Sequence, residues 1–420
     1  MNDREPSRRK FIKKSVALAG LAAAGGAGAA NAQTADSGPA ATPVKDLEAY
    51  GERSHFVTSV RIAPDPNPFG LTFHVFTPLQ DSIGIITPAS LHYTIAHRPY
   101  SVPDINPEQH RLMIHGMVDR PLILSMADLK RFPSVSRVQY LECNGNKPQP
   151  AYKTVQRASG LTSCSEWTGV PLSLLLKQAG VHNGAKWIIA EGAEDNKGAI
   201  SLPMAKAMDD MLVAYGQNGE PVRPQNGFPL RLLAPGFEGL CNVKWLRRIK
   251  VTDQFYMTFN EFDRYTSVDP RMAQLTNYEQ RPKSVITFPS GEQQLPERGH
   301  YQITGLAWSG GGAIRKVEVS TNGGRTWKDA EIQSVIHRMA HTRFGMDWKW
   351  DGEECVLMSR CTDELGQIQP TVFEFARFWK QPVKVVLTPP PNGMSGHHNY
   401  ILPWKVDRDG KVTHGLVGLA

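Results

Sequence analysis

The pattern of hydrophobic and polar positions changes character near residue 282. Before that point helical and strand-like segments alternate. Apolar residues recur at helical spacing over 172–179, between Pro171 and Gly180, and residues 186–190 are typical of a buried strand. This mixture predicts an α+β domain before residue 282. A second predicted helix is opened by Ser201 and Pro203 and places three core methionines on one face: Met204, Met208 and Met211.

Beyond residue 282, short segments of alternating polarity follow one another, separated by turn signals. In one of them Arg343 lies on the face opposite to Phe344 and Trp350, so Arg343 is expected to point away from the core. Six or seven short strands over about 100 residues predict an immunoglobulin-like β-sandwich. The predicted strands are 284–288, 301–308, 314–320, 343–350, 355–362 and 371–378.

Composition and charge narrow the function classes. The chain has 420 residues, 40% of them hydrophobic and 21% charged, which is typical of a globular protein and excludes a disordered or fibrous one. Its formal charge is +7, but residues 1–32 carry six basic and two acidic residues and so account for +4 of it. The rest of the chain has no dense basic run with interleaved aromatics, so nucleic-acid binding is not expected.

The N-terminal segment has the pattern of an export signal. Ser7-Arg8-Arg9-Lys10-Phe11 precedes an apolar stretch over 16–30, and Ala30-Asn31-Ala32 is a small-x-small cleavage site. At about 15 residues the apolar stretch is shorter than the roughly 20 that a spanning helix needs, which argues against a membrane anchor. The paired arginines resemble a twin-arginine signal, which implies export of a folded, often cofactor-loaded protein to the periplasm and no membrane span after cleavage.

The predicted order of segments follows from these observations. It is a signal peptide over 1–32, an extended leader with little regular structure over 33–78, an α+β domain over 79–281, a sandwich over 282–388 and a C-terminal tail over 389–420 that ends in a polar, hairpin-like stretch.

The cysteines exclude several kinds of redox site. There are five, an odd number for an oxidising compartment, so at least one is unpaired or has another use. No two have the C-x-x-C spacing of a zinc ribbon, an iron–sulfur run or a covalent haem site. The five are Cys143, Cys164, Cys241, Cys355 and Cys361.

Cys143 stands out by its position. It follows a strand-like segment over 136–141 and enters the turn Asn144-Gly145-Asn146, so a thiolate would be presented at the end of a strand. A thiolate is a soft ligand suited to a transition metal. Taken alone, a loop cysteine is as often a small buried hydrophobe as a ligand, and both interpretations stay open on this residue by itself.

Several ordered stretches resemble the sulfite oxidase family of molybdenum-cofactor enzymes over essentially the whole predicted mature length. They are Ile86-Thr87-Pro88, His97, Val102 to Pro107, Cys143-Asn144-Gly145-Asn146, Gly227 to Arg231, Val243 to Leu246 and Ala307 to Gly311. Within the family, residues 111–118, 132–137, 163–170 and 243–248 look closest to the molybdenum subunit of Sox-type sulfane dehydrogenases. The resemblance implies a sulfite-oxidase-type molybdopterin domain followed by an immunoglobulin-like dimerisation domain.

By this resemblance Cys143 is the protein ligand of molybdenum, whose other sulfurs come from the pterin of the cofactor. A polar set falls where the family holds the pterin and its phosphate, for which an Arg fork and a Lys charge are suited. Singly, Arg231 and Lys244 could be surface ion pairs and His97 a structural histidine. The implied cofactor-binding residues are Tyr93, His97, Cys143, Glu194, Asn226, Arg231, Asn242 and Lys244.

The implied active site departs from the family in its arginines. Tyr265 matches the active-site tyrosine and Arg343 the arginine from the second domain. The family's Arg-Asn-His is Ile95-Ala96-His97 here, and Lys147-Pro148 follows the cysteine loop where oxidases carry paired arginines. Positive charge is thus shifted toward other positions, which puts free sulfite in doubt as the preferred substrate. These positions are Arg98, Lys147, Arg157 and Arg343.

The function implied is oxidation of reduced sulfur at molybdenum, with sulfane sulfur on a carrier protein or sulfite as substrate. Since no haem motif is present, a separate c-type cytochrome is the expected acceptor, in a homodimer or a heterotetramer with that cytochrome. Three alternatives stay open: a dedicated free-sulfite dehydrogenase, a non-catalytic scaffold subunit, suggested by Ile95 in place of the arginine, and, more weakly, a sulfoxide reductase.

Overall fold

The computed structural model describes residues 53–54, 56–63, 74–95, 102–194, 198–259, 261, 266–269, 272–275, 278–388 and 396–418. All elements given below lie in one compact unit that begins at Ser59. The predicted signal peptide and most of the predicted leader lie outside the described residues. Within the described part of the chain, no helix is long and apolar enough to cross a membrane.

The first domain contains twelve strands and four short α-helices in its described part. The strands are β1 (His74–Val75), β2 (Thr94–Ile95), β3 (Arg111–Gly116), β4 (Leu122–Ser125), β5 (Val135–Glu142), β6 (Thr162–Pro171), β7 (Trp187–Gly192), β8 (Ala199–Pro203), β9 (Leu212–Gln217), β10 (Glu220–Pro221), β11 (Arg231–Leu233) and β12 (Leu246–Thr252). The helices are α1 (Met126–Leu129), α2 (Val155–Ser159), α3 (Leu172–Ala179) and α4 (Met204–Asp209).

These strands form two five-stranded sheets and a small β1–β2 pair. One sheet has the order β10-β9-β6-β5 with β11 also on β9, and the other has the order β4-β3-β12-β7-β8. Only the β3–β12 pairing is parallel within them. The main core packs the second sheet against α3 and the strands around it, with Leu112, Leu175 and Ile249 fully buried. The strands that lead into the predicted site belong to the first sheet, where β5 lies at one edge and β11 pairs with β9.

Helix α3 confirms the periodicity argument. Its buried residues are Leu172, Leu175, Leu176 and Ala179, and Gly180 ends it with a left-handed φ of 73°. The second predicted helix is partly wrong. Ser201 belongs to β8, the helix starts at Met204, and Met208 is 36% exposed. Because Ala207 takes the core-facing position one turn after Met204, Met208 rotates outward.

The second domain is a two-sheet sandwich. A backbone hairpin of β13 (Thr266–Asp269) and β14 (Met272–Leu275) precedes it. One sheet has the order β15-β16-β20-β19 and the other β18-β17-β21-β22-β23. The strands are β15 (Lys283–Phe288), β16 (Gly299–Trp308), β17 (Ile314–Ser320), β18 (Lys328–Asp329), β19 (Glu331–Ile332), β20 (Thr342–Trp350), β21 (Cys355–Asp363), β22 (Trp404–Val406) and β23 (Val412–His414).

The predicted strand at 371–378 is wrong, because that segment is helix α5 (Val372–Phe378), followed by α6 (Val383–Leu387). Thr371 and Glu374 form a reciprocal capping box, in which each side chain accepts a hydrogen bond from the backbone N–H of the other. This local hydrogen bonding outweighs the strand propensity of Val372 and its aromatic neighbours. The β22–β23 hairpin extends the second sheet, so residues 404–414 are part of the sandwich rather than of a separate tail.

The two faces of β20 agree with the prediction. Phe344 and Trp350 are buried in the core, whereas Arg343 is half-buried on the opposite face. The Arg343 Nη1 donates a hydrogen bond to the Ser82 carbonyl oxygen at 3.1 Å, which ties the sandwich to the first domain.

His341 is fully buried at the start of β20, where its Nε2 lies 3.0 Å from Thr162 Oγ1. Burial lowers the pKa of His341 to about 3, below its unfolded value. Its contribution to stability is therefore present above about pH 6.5 and is lost as the pH falls toward 3. We expect His341→Gln to flatten the fall of the unfolding free energy in this range by up to about 1.4 kcal/mol per pH unit, measured by urea unfolding. The exposed His300→Gln is the control, and equal slopes for wild type and His341→Gln would contradict the assignment.

Candidate molybdenum centre

Cys143 lies at the end of β5, as the sequence predicts. Strand β5 ends at Glu142, and the Cys143 backbone N–H donates to the Leu161 carbonyl at 2.9 Å. The Asn146 N–H donates back to the Cys143 carbonyl at 2.9 Å, closing a tight turn. Within that turn Cys143 Sγ accepts a hydrogen bond from the Gly145 N–H at 3.2 Å. The thiol is thus fixed in direction by main-chain contacts.

The surroundings of Cys143 do not favour a free thiolate. Burial raises the pKa of the Cys143 thiol to about 12, and the charges of Glu238 and Glu142 add to this effect. Burial also raises the pKa of Glu238 to about 8 and lowers the pKa of Lys147 to about 8. The Gly145 N–H and the charge of Lys147 favour the thiolate but do not offset burial, so a metal cation is what would hold Cys143 as a thiolate.

A second group of polar side chains gathers around the start of β11. Arg231 is buried, its Nη1 donates to the Asn226 carbonyl at 2.9 Å, and its guanidinium lies 5.5 Å from the Trp167 ring. Burial lowers the pKa of Arg231 to about 10. The Asn226 side chain donates to Gln217 Oε1 at 2.9 Å. No ion pair of Arg231 is found among the described residues, so this buried cation is suited to an anionic ligand.

Lys244 supplies another cation beside this group. Its Nζ donates to the carbonyl oxygens of Ile95 at 2.9 Å and Gln225 at 3.3 Å, and lies 4.4 Å from the Trp245 ring. Burial, with the charge of Arg231 second, lowers the pKa of Lys244 to about 7. An anion bound here would restore the charged form of the lysine.

Unsatisfied buried atoms provide a test of whether a polar cofactor fits. Within the described residues, four buried side-chain atoms near these groups lack a hydrogen-bond partner, and unpaired buried polar atoms are costly. Tyr93 is buried and packs in the same apolar cluster as Cys143. The donors and acceptors fit a ligand rich in hydrogen-bonding groups, as a pterin is. The atoms are Arg231 Nε, Glu194 Oε2, Asn144 Oδ1 and His92 Nε2.

Some predicted site residues have other contacts. Asn242 Oδ1 accepts from the Ala234 N–H at 2.8 Å and its Nδ2 donates to the Glu238 carbonyl at 3.0 Å, so its amide orders its own loop. Arg343 is directed at the Ser82 carbonyl. For these two residues, direct contact with cofactor or substrate stays a prediction. His97, Arg98 and Tyr265 lie outside the described residues.

Sequence reasoning did not single out three buried charges that surround the cysteine loop. Glu238 is 2% exposed, and its charge influences both Lys147 and Cys143. Glu142 and Lys283 are both fully buried and form an ion pair of 2.7 Å. The identity of a charged residue does not show whether its side chain is buried. The position of Glu142 directly before Cys143 was nevertheless a usable signal that Glu142 lies near the site. Across the described residues, no three His, Cys, Asp or Glu side chains are grouped so as to hold a metal.

Comparisons with known proteins define the class. Residues 99–260 match the model of the oxidoreductase molybdopterin-binding domain, and residues 274–380 match the model of the Mo-co oxidoreductase dimerisation domain. Together with the structural match given next, these place the chain in the sulfite oxidase family of molybdopterin oxidoreductases, with a molybdenum–molybdopterin cofactor.

The particular relatives are of two kinds. The crystal structure of the sulfane dehydrogenase SoxCD from Paracoccus pantotrophus superposes with a TM-score of 0.81 at 34% identity, covering 89% of this chain and 95% of that one. An NADH nitrate reductase of Cichorium intybus is 36% identical over 305 residues, which are 64% of this chain and 32% of the relative. One from Phaseolus vulgaris is 34% identical over 318 residues, 66% of this chain and 35% of the relative. The chain thus spans about a third of the length of these nitrate reductases.

The family, the fold class and the cofactor that the sequence implied are confirmed by these matches. The chain has a molybdopterin-binding domain followed by a strand-rich dimerisation domain, as expected.

Proposed function

We propose that this molybdopterin oxidoreductase oxidises sulfane sulfur carried on a cysteine of another protein. Ile95 carries the proposal. It packs against the apolar cluster that contains Tyr93, Leu141 and Cys143, at the position where the family has a substrate-facing arginine. A pocket without this arginine lacks charge-assisted hydrogen bonds to a small oxyanion, worth roughly 1.5–3 kcal/mol each. The similarity to SoxCD, which is described as a sulfane dehydrogenase, supports the same substrate class.

The residues of this chain have distinct tasks in the proposal. When bound, the cofactor would supply a molybdenum centre that takes two electrons from the sulfur and delivers to it an oxygen atom derived from water. Cys143 holds the metal, and Arg231 and Lys244 bind the anionic part of the pterin. Lys147, buried beside Cys143, attracts the oxyanion that forms on sulfur. Burial raises the pKa of Glu238 to about 8, which weakens the repulsion between its carboxyl group and that anion near neutral pH.

The electron acceptor, the oligomeric assembly and the cellular location belong to the same proposal. A c-type cytochrome takes the electrons one at a time, in a homodimer or a heterotetramer with that cytochrome. The twin-arginine pattern over residues 7–13 supports export of the folded, loaded protein to the periplasm.

Restoring the arginine tests the substrate. We expect Ile95→Arg to raise kcat/KM for free sulfite by about 10- to 100-fold, since one or two charge-assisted hydrogen bonds are regained, and to leave oxidation of a persulfidated carrier equal or lower. Cytochrome c reduction is the readout. Ile123→Arg, at a site 62% exposed, is the control for added charge. A wild type that oxidises sulfite with high kcat/KM and ignores the persulfidated carrier would overturn the proposal in favour of a free-sulfite dehydrogenase.

Nitrate reduction is the second candidate, because the plant nitrate reductases share 34–36% identity over the matched residues. Assay of nitrite formation with a chemically reduced electron donor separates the two. Turnover of nitrate without turnover of either sulfur substrate would favour this candidate.

A further inference from the structure

A fully buried polar network lies directly behind the cysteine loop. Glu142 is 0% exposed, and its Oε1 accepts hydrogen bonds from Lys283 Nζ and Asn146 Nδ2, each at 2.7 Å. Its Oε2 accepts from the indole N–H of Trp308, also at 2.7 Å. Lys283 and Trp308 are likewise fully buried. Among the described residues, the hydrogen-bond donors to this carboxylate are Asn146 and two residues of the sandwich domain, while His397 Nδ1 lies 3.9 Å from Oε2.

The network holds both ends of the loop that carries Cys143. Lys283 Nζ donates to the side chain of Glu142, which directly precedes Cys143. It also donates to the carbonyl oxygen of Asn146, three residues after Cys143, at 2.8 Å. Asn146 Oδ1 accepts a hydrogen bond from the backbone N–H of Leu161 at 3.0 Å, and Leu161 directly precedes strand β6. The ammonium group of Lys283 thus links Glu142 and Asn146, the residues at the two ends of the turn that carries Cys143.

The backbone of Glu142 is held from the same side. Gln280, at the domain junction, donates from Nε2 to the Glu142 carbonyl at 3.1 Å. The Gln280 carbonyl accepts from the Gly310 N–H at 2.7 Å, and Gly310 follows β16 by two residues. A shift of the sandwich by a fraction of an ångström would therefore be transmitted to the residue that precedes Cys143.

We propose that Lys283 and Trp308 are positioning residues for Cys143, so that the sandwich domain sets the direction and distance of the thiolate toward molybdenum in addition to any role in dimerisation. The proposal rests on Cys143 as the metal ligand of the proposed function. It does not depend on which substrate the centre oxidises. A network that served only to join the domains would stabilise the fold without altering the metal centre.

Trp308→Phe is the decisive variant. It removes one hydrogen bond to Glu142 Oε2 and keeps an aromatic ring in the core. We expect a melting temperature within a few degrees of wild type and near-normal molybdenum content. We also expect a changed Mo(V) EPR spectrum and a changed Mo–S distance by X-ray absorption, after chemical reduction by dithionite. An EPR spectrum and a Mo–S distance equal to those of wild type would overturn the proposal.

Lys283→Met and the double variant Glu142→Gln/Lys283→Met distinguish an effect on the position of Cys143 from an effect on the stability of the fold. The single variant leaves Glu142 buried without its cation, so we expect at least a tenfold loss of bound molybdenum and a lowered melting temperature. The double variant removes the unpaired charge. We expect it to recover most of the melting temperature but not the wild-type EPR spectrum. Full recovery of both would show that the network acts through stability alone and would overturn the proposal.

Lys316→Met is the matched control, because Lys316 forms an exposed ion pair with Glu318 and Asp329 in the same domain. We expect it to leave the molybdenum content and the EPR spectrum unchanged. Failure of the proposed function and failure of the positioning role give different results. A wild type with molybdenum but no sulfur-oxidising activity would reject that function, while the spectra of chemically reduced variants would still decide the positioning role.

Discussion

Replacing Arg231 with Met is expected to lower the pterin and molybdenum content by about 10- to 100-fold while leaving the cofactor-free chain as stable as wild type or more so. The guanidinium is buried, and its Nε has no hydrogen-bond partner among the described residues. A buried cation without a counter-charge costs free energy until an anion binds, so its removal relieves the free chain. Lost charge-assisted hydrogen bonds of roughly 1.5–3 kcal/mol each account for the loss of affinity.

Two measurements decide this prediction. Pterin fluorescence and elemental analysis give the cofactor content, and urea unfolding of cofactor-free protein gives the stability. Arg120→Met is the control, since Arg120 is exposed and its guanidinium donates to the Gln178 carbonyl oxygen. If Arg231→Met destabilised the cofactor-free chain by more than about 2 kcal/mol, Arg231 would be a structural residue and its assignment to the cofactor would be wrong.

Gly310→Ala should strongly destabilise the junction of the two domains. A β-carbon at Gly310 would overlap the Gly236 carbonyl oxygen and lie 2.6 Å from that of Gln280. These are backbone atoms that hydrogen bonds hold in place, so the three loop segments must move apart and the unfolding free energy should fall by about 3 kcal/mol. Because Gln280 also donates to the Glu142 carbonyl, molybdenum content should fall as well. Thermal unfolding and elemental analysis measure both effects.

Gly299→Ala supplies the matched control. Gly299 begins β16, in the same domain, and a β-carbon there would meet no atom within 4 Å. Its effect should stay within about 1 kcal/mol and could be stabilising. Equal effects of the two substitutions would contradict the close packing of Gly310 against Gly236.

The elements that the sequence predicted best are those with a strong period and clear end signals. Helix α3 ends at Ala179, directly before Gly180, whose left-handed φ stops the helix. Strand β17 has the predicted limits, Ile314–Ser320. The prediction failed over 371–378, where aromatic and β-branched residues suggested a strand. The capping box of Thr371 and Glu374 was the local signal for a helix, and it is visible in the sequence as T-x-x-E.

The candidate site was predictable in part for a different reason. Cys143 could be placed at a strand end from local pattern, and Arg231 and Lys244 could be assigned through family resemblance. The partnership of Glu142 with Lys283 could not, because 141 residues separate them and neither lies in a motif. A buried ion pair of this kind depends on how two domains dock, and periodicity within either domain carries no information about that contact.

The central claim is that Cys143 holds a molybdenum cofactor on which a redox reaction depends. The most direct test is elemental analysis of the full chain produced in a host that makes the molybdenum cofactor, for wild type beside Cys143→Ala, with cytochrome c reduction measured on the same samples. The account predicts about one molybdenum per chain in wild type, and loss of the metal or of all turnover in the variant. Correctly matured wild type that contains no molybdenum would contradict it.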